Sequence, residues 1–505
     1  MTLFLLMMAL CLGLCNTAQA DLSASTSGVT YEIFTGSFCD SNGDGQGDLQ
    51  GIIQQLDYLE SLHVRRIWLT PIHPSPSYHR YDVSDYMTVD PVLGSMDDFR
   101  QLVKEVKLRG MEILLDLVVN HTALDHPWFQ AACQALASGE ENPYVSWYNF
   151  SKGQGQHPVP HAEGWFYEGQ FTSKMPDLNL DHPDVRAEID RIMSFWQEQG
   201  VGGFRLDAVT SYYKDQPAKN AEFLKFVSDA AHRNASDAYV VGEAWTSDQA
   251  ILRLYESGVD SLFNFPASDI DGTLIRAALN GAGKRAAEKL AEWNKKLQQL
   301  SSNCKDSAFL TNHDMNRAAG MLRGDLSKEK VAASLLLLSP GNPVVYYGEE
   351  LGMYGSGRDE NKRLPMLWST NTSQGMCLSP EQADQKQRLK QGVDVQSADN
   401  GSLLNHYRAL LALRAKCPEF ETKDMTLVNL DNEALACYLL SRDGCTIGVI
   451  INTDSEQTFD ISDPFSGSKE LVGEVGGAQL TDSVIRLPGG SSIVFRMVRC
   501  GDITQ

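Results

Sequence analysis

Positive charge is scarce in this chain. No lysine or arginine occurs before Arg65, and 43 basic residues against 65 acidic ones leave a net charge of −22 over 505 residues. A surface of that sign repels nucleic acid and anionic membrane, so neither is expected as a partner, whereas an uncharged polymer is indifferent to it. Long apolar runs are missing too: the stretch from Leu3 to Leu14 falls short of the ~20 residues that span a bilayer. It is followed by Thr17-Ala18-Gln19-Ala20, a small-residue cleavage pattern, so residues 1–20 read as an export signal despite the absent basic start. Leu14 ahead of Cys15 fits a lipid-attachment site poorly. The ten cysteines show no repeated C-x-x-C spacing of the kind that holds zinc. Eight remain beyond the signal: Cys39, Cys133, Cys304, Cys377, Cys417, Cys437, Cys445 and Cys500. An even number permits disulfides in an exported chain, with Cys437 and Cys445 on neighbouring strands as one candidate pair and buried free thiols as the other reading. Neither internal repeats nor low-complexity tracts occur. At 42% hydrophobic and 21% charged the chain is globular, and it is too long for one ordinary core.

What is present is a series of four short apolar runs that end in polar residues. They are Asp116-Leu117-Val118-Val119-Asn120-His121, Gly203-Phe204-Arg205-Leu206-Asp207, Val240-Val241-Gly242-Glu243 and Phe309-Leu310-Thr311-Asn312-His313-Asp314. Their spacing fits strands separated by helices. Asp207 to Glu243 is 36 positions, one strand–helix unit, and Glu243 to Asp314 is 71, two units with Val259 to Phe263 as the strand between. Asp116 to Asp207 is 91, which leaves an excess that predicts an insertion from about Thr122 to Ser173. Met96–Arg109, Asp184–Gln199 and Leu403–Lys416 carry apolar residues at helical spacing. After Cys417 the pattern changes to short runs, Ala434–Leu440, Thr446–Asn452 and Ser492–Val498, which predict a β-rich C-terminal domain. The repeated unit suits a parallel (β/α)8 barrel, whose reactive groups sit at the C-terminal ends of the strands. Three acidic residues at such ends supply the two carboxyl groups that break a glycosidic bond, one as acid and one as nucleophile or base, and one more.

The order and content of these motifs resemble the conserved regions of the α-amylase family of glycoside hydrolases. Trp68-Leu69-Thr70-Pro71, His79-Arg80-Tyr81-Asp82, Met175-Pro176-Asp177-Leu178-Asn179 and Gly341-Asn342-Pro343-Val344-Val345-Tyr346-Tyr347-Gly348-Glu349-Glu350 extend the likeness from about Val29 to beyond Trp368. The resemblance implies a catalytic barrel over 21–121 and 174–416, an inserted subdomain over 122–173 and a C-terminal β-sandwich over 417–505. It implies Asp207 as nucleophile, Glu243 as general acid/base and Asp314 as the carboxylate that stabilises the transition state. It further implies that His121 and His313 hydrogen-bond the sugar, that Tyr81 stacks on it with Asp82 in support, and that Asp359 and Arg363 grip it. Arg205, two residues before Asp207, shares its side of the strand and favours the ionised nucleophile, while Glu243 is expected to keep a proton near neutral pH. Asp116 is expected to orient Arg205 or support the barrel. A retaining reaction through a glycosyl-enzyme follows from that assignment.

Asp40-Ser41-Asn42-Gly43-Asp44-Gly45-Gln46-Gly47-Asp48 places oxygen ligands at alternate positions, as a hard cation requires. It opens like an EF-hand loop but has Gly51 where the bidentate glutamate belongs. It matches the calcium loop of many family members, which implies a structural Ca2+ held by Asp40, Asn42, Asp44 and Asp48 side chains and the Gln46 carbonyl; a metal-free turn is the alternative. Asn120 matches a residue of a second calcium site in many amylases, without partner ligands legible in the sequence. No organic cofactor is expected. The Met175–Asn179 segment resembles a group intermediate between oligo-1,6-glucosidases and neopullulanases, and Ala208 resembles members acting on α-1,4 bonds. These traits imply an exported, monomeric enzyme, periplasmic or extracellular, cutting internal α-1,4 bonds of starch or maltodextrins, with transglycosylation as a side activity. The alternatives are an exo-acting α-glucosidase or oligo-1,6-glucosidase and, from another class, a non-catalytic barrel subunit of a transporter.

Overall fold

The computed structural model describes residues 28–300, 304–461, 465 and 468–498; the expected export signal, with Cys11 and Cys15, and Cys500 lie outside them. Eight short strands form one parallel sheet: β1 (Thr30–Ile33), β2 (Arg66–Leu69), β3 (Glu112–Leu117), β4 (Gly203–Leu206), β5 (Tyr239–Gly242), β6 (Ser261–Phe263), β7 (Lys305–Ser307) and β8 (Val344–Tyr346). Their order is β7-β6-β5-β4-β3-β2-β1-β8. The ring closes between its ends, where Phe309 bridges Val344 in parallel, and the Asn342 and Val344 amides donate to Asp306 and Ala308 carbonyls at 2.7 and 2.8 Å. This is a (β/α)8 barrel.

Strand alternation sorts the side chains. Leu115, Leu117, Phe204 and Leu206 face outward into the main core shared with the helices. Trp68, Leu114, Val241 and Phe263 face inward and fill the barrel with Phe309 and Val344. At the upper inward positions the apolar filling gives way to Glu32, Asp116 and Arg205, all fully buried. Gly203 begins β4 because a Cβ there would stand 1.9 Å from the Tyr239 carbonyl oxygen of β5. The close approach of these two strands brings the ends that carry Asp207 and Glu243 side by side.

The outer layer follows from amphipathic patterning and caps. In the helix Met96–Leu108, Phe99, Leu102, Val103 and Val106 form the buried face, and Ser95 and Asp98 exchange hydrogen bonds as a capping box at its start. Pro183–Glu198 and Leu403–Ala415 close on the positions expected of them. The helix Leu403–Ala415 is locked beneath the approach to β8 by Arg414, whose fully buried guanidinium donates to the Leu337 and Ser339 carbonyls at 2.8 and 2.7 Å and to that of Gly341.

The excess after β3 holds a helix, Pro127–Ser138, and a three-stranded antiparallel sheet of Phe150–Lys152, Trp165–Tyr167 and His157–Pro158. The C-terminal region packs a five-stranded antiparallel sheet against a three-stranded one. Leu435, Cys437 and Ile450 face the sandwich interior, and Ala436, Tyr438 and Val449 face the barrel. In that hairpin Cys437 lies opposite Ile450 and Cys445 opposite Arg442, so the two cysteines expected as a candidate pair do not face each other. The fourth motif also shifts: β7 ends at Ser307, and Phe309 to Asp314 is a loop crossing the barrel mouth.

Candidate active site

Arg205 is fully buried inside the barrel, under Trp68 and Tyr81, whose ring centres lie 4.9 and 5.8 Å from its guanidinium carbon. Its Nη1 donates to Asp116 Oδ1 at 2.8 Å and to Asp207 Oδ1 at 2.7 Å. Its Nη2 lies 2.9 Å from Glu243 Oε2, without the angle of a hydrogen bond. Glu243 Oε2 accepts instead from the Ala208 amide at 3.0 Å. Ala208 has a φ of 46°, a left-handed conformation that costs a non-glycine residue energy, and it turns the chain sharply behind Asp207. The next amide, of Val209, donates to the Glu243 carbonyl at 3.0 Å. One cation and one strained turn thus hold Asp207 and Glu243 together.

Asp314 enters from the loop after β7. Arg363 Nη2 donates to its Oδ1 at 2.6 Å, and His313 Nε2 is 3.2 Å from its Oδ2. Arg363 also donates from Nε to the His313 carbonyl at 3.1 Å, and its Nη2 is 3.6 Å from Asp359. A cavity of about 470 Å3 opens over these groups, walled by Asp207, Glu243, Asp314, Tyr81, His121, Asp359 and Arg363 together. Arg205 and His313 work from beneath it. Asp82 does not reach its wall, because its Oδ1 is taken by Ser75 Oγ at 2.7 Å and by Ser77 Oγ. Two aromatic residues of the wall were not anticipated. Phe171, from the insertion, is 45% exposed and lies edge-on to His121 at 5.2 Å; Trp245, two residues past Glu243, is 52% exposed and stacks on Phe265 at 4.9 Å.

Burial pushes the Asp207 and Glu243 carboxyls up; Arg205 draws both back down, while each feels a second carboxylate and Asp314 nearby. Two carboxyls sharing one guanidinium in a dry cavity keep one proton between them. Arg205 donates a hydrogen bond to Asp207 and makes only a poorly angled contact with Glu243, so the cation acts more directly on Asp207. Burial also acts to raise Asp314, but His313, Arg363 and Arg205 outweigh it and hold that carboxyl below its ordinary range.

The loop 40–48 is a run of side-chain turns. Asp40 accepts from the Gly43 and Gly45 amides at 2.6 and 2.7 Å, Asn42 from Asp44 at 2.8 Å and Asp44 from Gln46 at 2.8 Å. Asp48 accepts from Ser41 and caps the following helix through the Gly51 amide at 2.7 Å. The donor set is all oxygen and suits a hard cation. Among the described residues no three His, Cys, Asp or Glu side chains converge as a metal site. Asn120 points elsewhere: its Oδ1 accepts from Gln170 Nε2 at 3.3 Å and its Nδ2 donates to Asp177 at 3.2 Å.

The alpha amylase catalytic-domain family matches residues 32–422. This chain belongs to the α-amylase family. Among its relatives, alpha-amylase 3 of Dictyoglomus thermophilum is 35% identical over 446 residues, 86% of this chain and 87% of that protein. An oligo-1,6-glucosidase of Parageobacillus thermoglucosidasius is 29% identical, over 76% of this chain and 82% of its own. Among solved structures, Eubacterium rectale Amy13B superposes with a TM-score of 0.88 at 37% identity, covering 93% of this chain and 95% of that one. The chain is therefore a glycoside hydrolase of this family. The relatives differ in the bond they cleave, so membership alone does not choose among amylase and glucosidase activities.

Buried carboxyls in the site and elsewhere in the barrel domain give a stability signature. Asp177 and Asp306 are raised to about 6 by burial, and Asp207 and Glu243 are raised by the same cause. Asp177 and Asp306 each bind a proton, and Asp207 and Glu243 share one, more tightly folded than unfolded. The stability they contribute is full below the unfolded values near ~4 and is lost as pH rises through the folded ones. Tm measured by calorimetry is expected to fall between pH 5 and pH 8. In Asp207→Asn the fall should be shallower and Tm at pH 8 higher, while kcat drops by roughly 10^4-fold or more. Parallel Tm curves for the two proteins would contradict the assignment.

Proposed function

We propose that this chain is an exported, retaining α-amylase that cuts internal α-1,4 bonds of starch or maltodextrins. Asp207 attacks the anomeric carbon while Glu243 protonates the departing glycosidic oxygen, and Glu243 then takes a proton from the water that releases the glycosyl-enzyme. Asp314, held by Arg363, and His121 bind the hydroxyls of the sugar being cleaved. The observation that carries the endo reading is the pair of exposed aromatics on the cavity wall, Trp245 two residues past Glu243 and Phe171 against His121. They offer flat apolar surface for sugar units beyond the cleaved bond, which a chain bound along the cleft uses and a lone terminal residue does not. Export rests on the apolar segment and small-residue pattern of residues 1–20.

Digestion of maltoheptaose blocked at its non-reducing end decides the mode of action. The proposal expects mid-length products from the blocked sugar at rates similar to the unblocked one. Glucose from the unblocked sugar alone would mean an exo-glucosidase.

Calcium in the loop 40–48 is part of this proposal, with Asp40, Asn42, Asp44, Asp48 and the Gln46 carbonyl as ligands and a structural role. The loop abuts the end of β1, where Gly47 leaves no room for a Cβ against the Thr35 carbonyl at 2.2 Å, so the cation would stiffen the barrel mouth. Chelation is expected to lower Tm and added Ca2+ to restore it, with a concentration dependence that Asp44→Ala abolishes. A Tm indifferent to chelator would remove calcium from the account.

A further inference from the structure

Directly beneath the site lies a carboxyl that the reaction does not use. Glu32, on β1, points into the barrel and is fully buried. Its Oε1 is 2.6 Å from His313 Nδ1 and 3.3 Å from the His313 backbone nitrogen, and its Oε2 has no hydrogen-bond partner. On the other edge of that imidazole, Nε2 is 2.7 Å from Tyr81 Oη and 3.2 Å from Asp314 Oδ2. Tyr81 Oη is in turn 2.8 Å from Asp116 Oδ2.

Hydrogens can be counted along this chain of contacts, since each short contact needs one and only one. Asp116 already accepts from Arg205 at Oδ1 and from Trp68 Nε1 at 3.1 Å, donors that keep it ionised, so the single Tyr81 hydroxyl hydrogen points to Asp116. Tyr81 Oη then offers His313 only lone pairs. Nε2 must therefore carry a hydrogen, which also suits the neighbouring Asp314 carboxylate. If the ring is neutral its Nδ1 is bare, and the 2.6 Å contact needs a hydrogen from Glu32. The alternative, an imidazolium facing a carboxylate, leaves an anion wholly out of water with one oxygen unserved, which is costly. Among facing charges Arg205 favours the Glu32 anion, whereas Asp314 and Asp116 disfavour it; burial dominates and pushes Glu32 well above the carboxylate range, and it pushes His313 down to about 3.

We propose that Glu32 is a positioning residue that stays protonated at neutral pH and donates its hydrogen to His313 Nδ1, fixing His313 as the Nε2–H tautomer that donates to Tyr81 Oη beside Asp314. The effect on turnover rests on the glycosidase reading above; the hydrogen positions do not.

Neutron diffraction from deuterium-exchanged crystals of the full chain at neutral pD reads those positions directly. The proposal expects deuterium on Glu32 Oε1 and on His313 Nε2, with His313 Nδ1 bare. Deuterium on Nδ1 would overturn it, whatever the substrate proves to be. Glu32→Gln supplies an amide donor in place of the acid, so imidazole 15N shifts should report the same tautomer and kcat/KM should stay within about threefold of the parent. A hundredfold loss at unchanged Tm, with an imidazolium signature in the parent, would show that Glu32 is an anion instead.

Discussion

One buried guanidinium organises this molecule. Arg205 has no exposure, yet it stands within 3 Å of Asp116, Asp207 and Glu243, which lie on three adjacent strands. A charge so placed costs several kcal/mol to desolvate and persists only if carboxylates surround it. The same requirement run backwards explains the carboxylates: three of them crowd a dry cavity only because a delocalised cation with several donors lies between them. The barrel makes the arrangement possible by bringing consecutive strand ends together, with Gly203 removing the one side chain that would hold β4 away from β5.

From that cation the roles separate. Asp116 is spent entirely on protein groups, Arg205, Trp68 and Tyr81, and so anchors the base of the site. Asp207 keeps the short bond to Arg205, whereas Glu243 is held by a backbone amide and a poorly angled contact, so the two carboxyls have different surroundings. Asp314 belongs to a second centre built on Arg363 and His313, which reaches the first through the stacked rings of Tyr81 and His313, 5.3 Å apart and 4° from parallel. The cavity lies between two cations, each balanced by its own carboxylates.

Much of this was legible because the chemistry sits where apolar runs stop. Asp207 and Glu243 follow their strands immediately, so motif and strand end coincide, and the separation of Asp116 from Asp207 pointed to the insertion. The fourth motif misled on the strand: Phe309 is apolar because it fills the barrel and Leu310 because it packs in the core outside it, and His313 and Asp314 ride on the loop that results. Asp82 was expected to support Tyr81 at the sugar, and only the fold shows it turned to Ser75 and Ser77. Glu32 was invisible, since its partner His313 is 281 positions away and nothing local marks a glutamate in a strand as buried. Trp245 and Phe171 were missed for the opposite reason, because an aromatic near a motif is ordinarily core until a surface is seen around it. The small C-terminal strands Gln457–Asp460 and Gln479–Thr481 escaped notice because they are short and half exposed.

The central claim is that Arg205 sets the order in which the site loses its protons. The pH dependence of kcat/KM in Arg205→Lys tests it most directly, with folding checked by circular dichroism. A lysine keeps one positive charge but lacks the planar fork that serves three carboxylates at once. The account predicts that the acid limb, which reports ionisation of the nucleophile, moves up by about one pH unit while the peak rate falls by roughly a hundredfold. A profile that superimposes on that of the parent protein would show that Asp207 owes its charge to something other than this cation.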